Sequence, residues 1–154
     1  MNNLLITNRL HLRQLRESDN LQLAALRSDA QVNTYLERKS SCTIEEANAF
    51  IAARNSDIAN GSAFYWAICL KNSPDLIGTI CLFSFNNAQA TAEIGYELLP
   101  DFQGQGFMHE ALQAVIAFGY DALNLQKIVA YISANNQKSI NAIQKHAAVE
   151  VVRL

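Results

Sequence analysis

Two glycines stand between a predicted strand and a predicted helix, in the segment Gln103-Gly104-Gln105-Gly106-Phe107-Met108. A helix that begins at such a turn leaves its first backbone N–H groups without intrahelical acceptors. Those donors, together with the positive end of the helix dipole, favour an anion such as a phosphate or a pyrophosphate. Glycine at positions 104 and 106 would let the backbone approach that anion closely. The segment predicts a phosphate-binding turn, although an ordinary strand-to-helix turn explains the glycines alone equally well.

The turn differs from the two common nucleotide-binding motifs. The residue three positions beyond Gly106 is His109, so the GxGxxG dinucleotide fingerprint is absent, and no Gly-Lys-Ser/Thr completes a P-loop. The strands predicted before the turn form an antiparallel meander, and no acidic residue stands in register to bind a ribose. These features disfavour a nucleotide-binding α/β module.

Two carboxylates occupy the strand that leads into the turn. Alternation places Glu93, Gly95 and Glu97 on one face of that strand. A carboxylate beside a reacting group can remove a proton from it, directly or through water. The same side chains would equally orient a substrate or pair with a basic residue.

The composition excludes several classes of protein. The chain has 154 residues, half of them apolar, which suits a single domain over residues 1–154 with one packed core. Twelve basic and 14 acidic side chains give a formal charge of −2, which argues against a nucleic-acid binder. The three cysteines show no CxxC spacing and no histidine has a partner at metal spacing, so we expect no metal and a cytoplasmic location. No apolar run approaches the roughly 20 residues of a membrane span, and no secretory signal is visible.

The elements that position these residues follow one another in a simple order. Apolar–polar alternation predicts a strand over 10–15, and two helices follow it, the second opened by a capping box at Thr43-Ile44-Glu45-Glu46. The remaining predicted elements are strands over 64–70, 76–83 and 91–99, a helix over 107–123, a strand over 127–133, a helix over 138–146 and a strand over 149–154. The three consecutive strands predict an antiparallel meander, and the strand–helix–strand after them predicts a parallel crossover. The expected fold class is therefore α/β, with a mixed sheet covered by helices.

Four segments in this order resemble the GCN5-related N-acetyltransferases (GNAT), and more closely the branch that acetylates ribosomal-protein N-termini. The glycine turn, preceded by Ala92-Glu93-Ile94-Gly95-Tyr96 and followed by Glu110-Ala111-Leu112, resembles the coenzyme A motif of the family. The segments at 8–19 and 76–80 are similar to the first strand with its helix entry and to the third strand of that branch. Asn136-Gln137-Lys138-Ser139-Ile140 is similar to its N-x-x-S-I segment.

The resemblance implies a GNAT-like fold with acetyl-CoA as co-substrate. In the family, amides of the glycine turn hold the pyrophosphate, and the pantetheine arm pairs with the end of the fourth strand. The contacts implied here are the main chain of Glu97, Leu98 and Leu99, Asn136, and the turn residues Gln103, Gly104, Gln105, Gly106, Phe107 and Met108. Many relatives carry Lys or Arg where this chain has Gln105, so phosphate binding would depend on amides and the helix dipole.

The resemblance also implies direct attack of a primary amine on the acetyl thioester in a ternary complex. Glu93 stands in the AEI triplet that carries the general base in histone-acetylating relatives, so it would take the amine proton through water, with Glu97 as the second candidate. The tyrosine acid of the family is absent, because Ile143 occupies its position. Ser139 is the substitute proton donor, although it would also serve as a helix cap. A free N–H near Leu98 or Leu99 would stabilise the oxyanion.

The acceptor amine stays open at this level. Tyr35 falls where relatives form the acceptor wall, and Tyr65 and Trp66 are expected to divide between the core and the acceptor floor, with Trp66 as the candidate for substrate binding. Protein N-termini, polyamines and small-molecule amines all occur as acceptors in the branch. A non-catalytic acyl-CoA-binding or sensor domain is the alternative, and the missing tyrosine favours it. Glu93 and Ser139 argue against that alternative, because a domain without activity has no reason to keep both groups.

The position of the last predicted strand adds a further expectation. Relatives continue past residues 149–154 with a turn and one more strand, so the sequence predicts a domain that is truncated at its C-terminus and lacks the final strand. The strands left without that neighbour would present an open edge. Such an edge would allow pairing with a second copy, and a homodimer is therefore expected as one possible assembly.

Overall fold

Seven strands form one mixed sheet in a computed structural model that describes residues 3–154. The strands are β1 (Leu5–Ile6), β2 (Leu10–Arg13), β3 (Phe64–Leu70), β4 (Leu76–Asn86), β5 (Thr91–Leu98), β6 (Lys127–Ile132) and β7 (Val149–Arg153), and they stand in the sheet in that order. The helices are α1 (Asn20–Ser28), α2 (Ala30–Asn33), α3 (Ile44–Asn60), α4 (Phe107–Asp121) and α5 (Gln137–Gln144). Strands β1 to β5 pair antiparallel, whereas β5–β6 and β6–β7 pair parallel. The predicted meander followed by a parallel crossover is confirmed.

Helix α3 illustrates how local sequence sets the element boundaries. Thr43 Oγ1 accepts a hydrogen bond from the Glu46 N–H, and the Glu46 carboxylate accepts one from the Thr43 N–H, each at 3.1 Å. This is the capping box that the sequence predicts. The helix ends at Gly61, whose φ of 78° is a left-handed conformation that glycine adopts at little cost.

Helices cover both faces of the sheet, so each strand divides its side chains between two cores. One core lies under α4 and α5 and takes Ala92, Ile94 and Leu98 from β5. The other lies under α1 and α3 and includes Leu23 and Ile51. Alternation along β5 therefore directs Glu93 and Glu97 to the α1–α3 face.

Two short elements and the strand count differ from the sequence expectations. Strand β1 has two residues and α2 has four, which is too short for any periodicity to reveal them. The seven strands do not show the missing final strand that we expected. Strand β7 has five residues, an ordinary strand length, and it pairs with β6 along its whole length. That expectation came from the order of strands in the resembling family, which carries no information about how β7 pairs in this chain.

Strands β5 and β6 are paired over only part of their length. They pair only where Thr91–Glu93 faces Lys127–Val129. Beyond this point β5 stays paired with β4 as far as Leu98, while the rest of β6 pairs with β7. The edge of β5 after Glu93 therefore opens onto a gap in the sheet.

Candidate active site

The glycine turn leads from β5 to the beginning of α4. Both glycines adopt left-handed conformations, with φ of 75° at Gly104 and 82° at Gly106. The Glu110 N–H is the first in α4 with a helical acceptor, the Gly106 carbonyl at 3.1 Å. Among the described residues, the N–H groups of positions 106 to 109 have no hydrogen-bond acceptor. Such a row of free donors at the N-terminus of a 15-residue helix is suited to bind a phosphate or pyrophosphate.

Side-chain amides and one guanidinium hold the turn in place. Gln103 Nε2 donates to the Leu98 carbonyl at 2.8 Å, and Gln105 Nε2 donates to the Asp101 carbonyl at 3.0 Å. Arg9 Nη1 donates to the Gln105 carbonyl at 2.9 Å. Gln103 therefore shapes the loop, while Gln105 directs its side chain back onto the protein.

The open edge of β5 exposes backbone groups beside the turn. The Leu99 N–H donates to the Ile77 carbonyl on the β4 side at 2.9 Å. Because alternate residues of a strand direct their backbone groups to opposite edges, Glu97 also faces β4, while Tyr96 and Leu98 face the gap. The Leu98 carbonyl is occupied by Gln103. Of the three residues expected to pair with a pantetheine arm, Leu98 alone turns its backbone to the gap, and its N–H is the donor left for an oxyanion.

The two candidate bases have different surroundings. Glu93 is half-buried and lies at the point where the sheet parts, and its carboxylate has no hydrogen bond or ion pair with any described residue. Glu97 Oε1 lies 2.6 Å from Arg38 Nη1, and both side chains are largely buried. Burial raises the pKa of Glu97, and the nearby Arg38 and Arg27 offset this rise only in part. Glu97 is thus engaged in an ion pair, while Glu93 is unengaged.

On the α4–α5 face of the sheet, the Ser139 side chain contacts Tyr96. The Ser139 hydroxyl donates to Tyr96 Oη at 2.8 Å, and the Tyr96 hydroxyl donates to the Ser139 carbonyl at 2.9 Å. Burial raises the pKa of Tyr96, although the Ser139 hydrogen bond opposes the rise. Asn136 Oδ1 accepts from the Ser139 N–H at 3.3 Å and so caps α5. The pair ties α5 to β5 beside the open edge.

The two aromatic residues expected at the acceptor site lie apart from each other. Trp66 is 1% exposed, packs against Phe118 in the α4-side core and donates from Nε1 to the Asn3 carbonyl. The structure therefore does not bring Trp66 to the gap, because alternation sends the adjacent Tyr65 to the α1–α3 face instead. Tyr35 is 43% exposed and stands three residues before Arg38.

Three functional-site contacts escape sequence reasoning. Arg9 on the glycine turn, Arg38 on Glu97, and Tyr96 on Ser139 each join residues that are distant in the chain. Arg9 and Tyr96 stand inside the motifs that carry the family resemblance, but nothing in the spacing links either residue to its partner. Within residues 3–154 no group of three or more His, Cys, Asp or Glu side chains could hold a metal ion, and no helix is long and apolar enough to cross a membrane.

Comparison with known proteins agrees with this fold. The family model described as the acetyltransferase (GNAT) domain matches residues 9–148. The uncharacterized N-acetyltransferase YoaA of Bacillus subtilis (strain 168) is 30% identical over 142 residues, covering 92% of this chain and 80% of YoaA. A crystal structure of RimL, a ribosomal L7/L12 alpha-N-protein acetyltransferase, in complex with coenzyme A superposes with a TM-score of 0.83 at 23% identity, covering 93% of this chain and 81% of RimL. The ribosomal-protein-S5-alanine acetyltransferase of Vibrio fischeri gives a TM-score of 0.79 at 22% identity, covering 94% of this chain and 81% of that one.

These solved acetyltransferases share the overall fold of this chain. The family model covers most of the chain, and the similarity to YoaA extends over nearly all of it. The chain therefore belongs to the GNAT acetyltransferase family.

Proposed function

We propose that the protein transfers an acetyl group from acetyl-CoA to a primary amine by direct attack in a ternary complex. The observation that carries this proposal is the open edge of β5 leading to the free amides at the start of α4. The amides from Gly106 onward would bind the diphosphate, and the pantetheine arm would lie in the gap along the open edge of β5. RimL, a protein of the same fold, has been solved with coenzyme A, which supports this cofactor class.

The unengaged carboxylate of Glu93 is our candidate general base. A free amine is mostly protonated at neutral pH, and Glu93 would take its proton through a water molecule. The amine nitrogen then bonds to the acetyl carbon, and the Leu98 N–H stabilises the oxyanion that forms. Glu97 is less suited to this role, because Arg38 already holds it in an ion pair.

Departure of the thiolate completes the transfer. The C–S bond breaks as the carbonyl re-forms, and the sulfur takes up a proton. Ser139 is our candidate donor to that sulfur, since its hydroxyl lies beside the open edge and is hydrogen-bonded to Tyr96 Oη. Asn136 would act indirectly, by capping the helix that carries Ser139.

A panel of amines tests the proposal and its open point, the acceptor. The protein is incubated with acetyl-CoA and, separately, with peptides of varied N-terminus, with spermidine and with small aliphatic amines, while thiol release is followed. We expect release above the hydrolysis background for at least one acceptor class. Coenzyme A binding without thiol release for every amine would contradict the catalytic proposal.

Assembly is a separate proposal. The outer edge of β7 has no strand partner among residues 3–154, so a second copy could pair there. Light scattering checks this directly: a dimer mass supports the proposal, and a monomer mass at high concentration contradicts it.

A further inference from the structure

We propose that Arg9 is a positioning residue that holds the glycine turn with its amides directed toward the diphosphate of acetyl-CoA. Arg9 lies between β1 and β2, 96 positions from Gln105 in the sequence. The inference rests on the proposed function, because it assigns a role within the same cofactor site.

The guanidinium of Arg9 covers one side of the turn. Its Nη1 donates to the Gln105 carbonyl at 2.9 Å, and its central carbon lies 4.4 Å from the centre of the Phe107 ring. A Cβ atom added to Gly106 would come within 3.1 Å of Arg9 Nη2. Arg9 therefore contacts three consecutive residues of the turn, and the glycine leaves room for it.

The bond to the Gln105 carbonyl decides where the next amide points. The peptide unit that joins Gln105 to Gly106 is trans, and a trans unit directs its C=O and its N–H in opposite directions. With the carbonyl held by Arg9, the Gly106 N–H points away from Arg9, and it has no acceptor among the described residues. Arg9 thus aims the first free donor of the turn outward.

Arg9 also balances a carboxylate in the first turn of α4. Glu110 accepts from the Arg9 N–H at 2.8 Å, from Arg9 Nε at 2.9 Å, and from the Thr7 hydroxyl. Burial alone would raise the pKa of Glu110, but the hydrogen bonds from Thr7 and Arg9 outweigh it and hold that pKa below its usual value. An ionised Glu110 without Arg9 would place an uncompensated negative charge beside the anion site. Arg9 therefore neutralises Glu110, so that this carboxylate adds no net negative charge beside the anion site.

Two ligands separate this positioning role from a general role in folding. Coenzyme A carries the diphosphate, whereas pantetheine lacks it, and calorimetry gives the dissociation constant of each. For Arg9→Gln we expect about a tenfold weaker coenzyme A complex, the scale of one hydrogen bond to a charged group, and an unchanged pantetheine complex. Arg9→Lys keeps the charge but loses the planar fork, so it should fall between the wild type and Arg9→Gln.

Matched variants make the outcome decisive. Lys71 is an exposed residue beside Arg9, and its backbone N–H donates to the Arg9 carbonyl. Lys71→Gln removes one positive charge near Arg9 and should leave both affinities unchanged. Adding Glu110→Gln to Arg9→Gln should restore part of the coenzyme A affinity, because the uncompensated carboxylate is removed. Equal losses for both ligands, or none for coenzyme A, would overturn the inference. A wild-type protein that binds no coenzyme A would instead reveal failure of the proposed function itself.

Discussion

Substituting alanine at Gly106 tests whether the left-handed turn holds the cofactor. Both Gly106 and Gly61 have positive φ, 82° and 78°, but Gly61 ends α3 with nothing within 4 Å of an added Cβ. A left-handed conformation costs a non-glycine residue about 1–2 kcal/mol. Gly106→Ala and Gly61→Ala should therefore lower the free energy of unfolding by similar amounts, which urea titration measures. The extra contact with Arg9 Nη2 adds little, because that side chain can shift.

Cofactor affinity should separate the two variants. Relief of the strain at Gly106 rotates its peptide units and turns a free N–H away from the diphosphate. The loss of one hydrogen bond to a charged group corresponds to about a tenfold weaker coenzyme A complex. Gly61→Ala should bind coenzyme A like the wild type. If Gly106→Ala lost stability yet bound coenzyme A with wild-type affinity, the turn would not be the diphosphate site.

Three further predictions concern the chemistry and the pH dependence. Glu93→Gln should lower kcat/KM by about a hundredfold at neutral pH. The rate should recover in part at alkaline pH, because more of the amine is unprotonated there. An unchanged rate at neutral pH would exclude Glu93 as the base. Tyr96→Phe should lower kcat several-fold with little change in the KM for acetyl-CoA, because Ser139 loses its hydroxyl partner, and an equal rise in KM would point to cofactor binding instead. Burial and the neighbouring His109 lower the pKa of His146, so the unfolded state binds more protons and the wild type should lose stability as the pH falls below about 6.5. His146→Gln should flatten that part of the urea-midpoint profile, and an unaltered slope would refute this assignment.

Much of the fold follows from local sequence. The capping box at Thr43 and the alternation along β5 predict elements that the structure contains, because both signals depend on residues close together in the chain. Strand β1 carries no such signal: it is two residues long and exists through pairing with β2. The parting of β5 from β6 is likewise a property of pairing, which no single strand encodes.

Some features of the candidate site can likewise be predicted from local sequence, and others cannot. The glycine turn is visible in the sequence because a positive φ favours glycine at particular positions. Trp66 was expected at the acceptor site, yet it is buried in the core, since one step along a strand reverses the face on which a side chain lies. The contacts of Arg9, Arg38 and Tyr96 depend on tertiary approach. No rule of sequence spacing predicts such contacts, so the sequence does not show which residue is the partner of which.

Acetyl transfer itself is the most direct test of the central claim. Wild-type protein, acetyl-CoA and the best amine of the panel are combined, and free thiol and acetylated acceptor are quantified by mass spectrometry in the same samples. We predict one acetylated amine for each thiol released, at a rate that depends on the concentrations of both substrates. Thiol release without acetylated amine, or a stable complex with coenzyme A that never turns over, would contradict the claim that this site is an N-acetyltransferase.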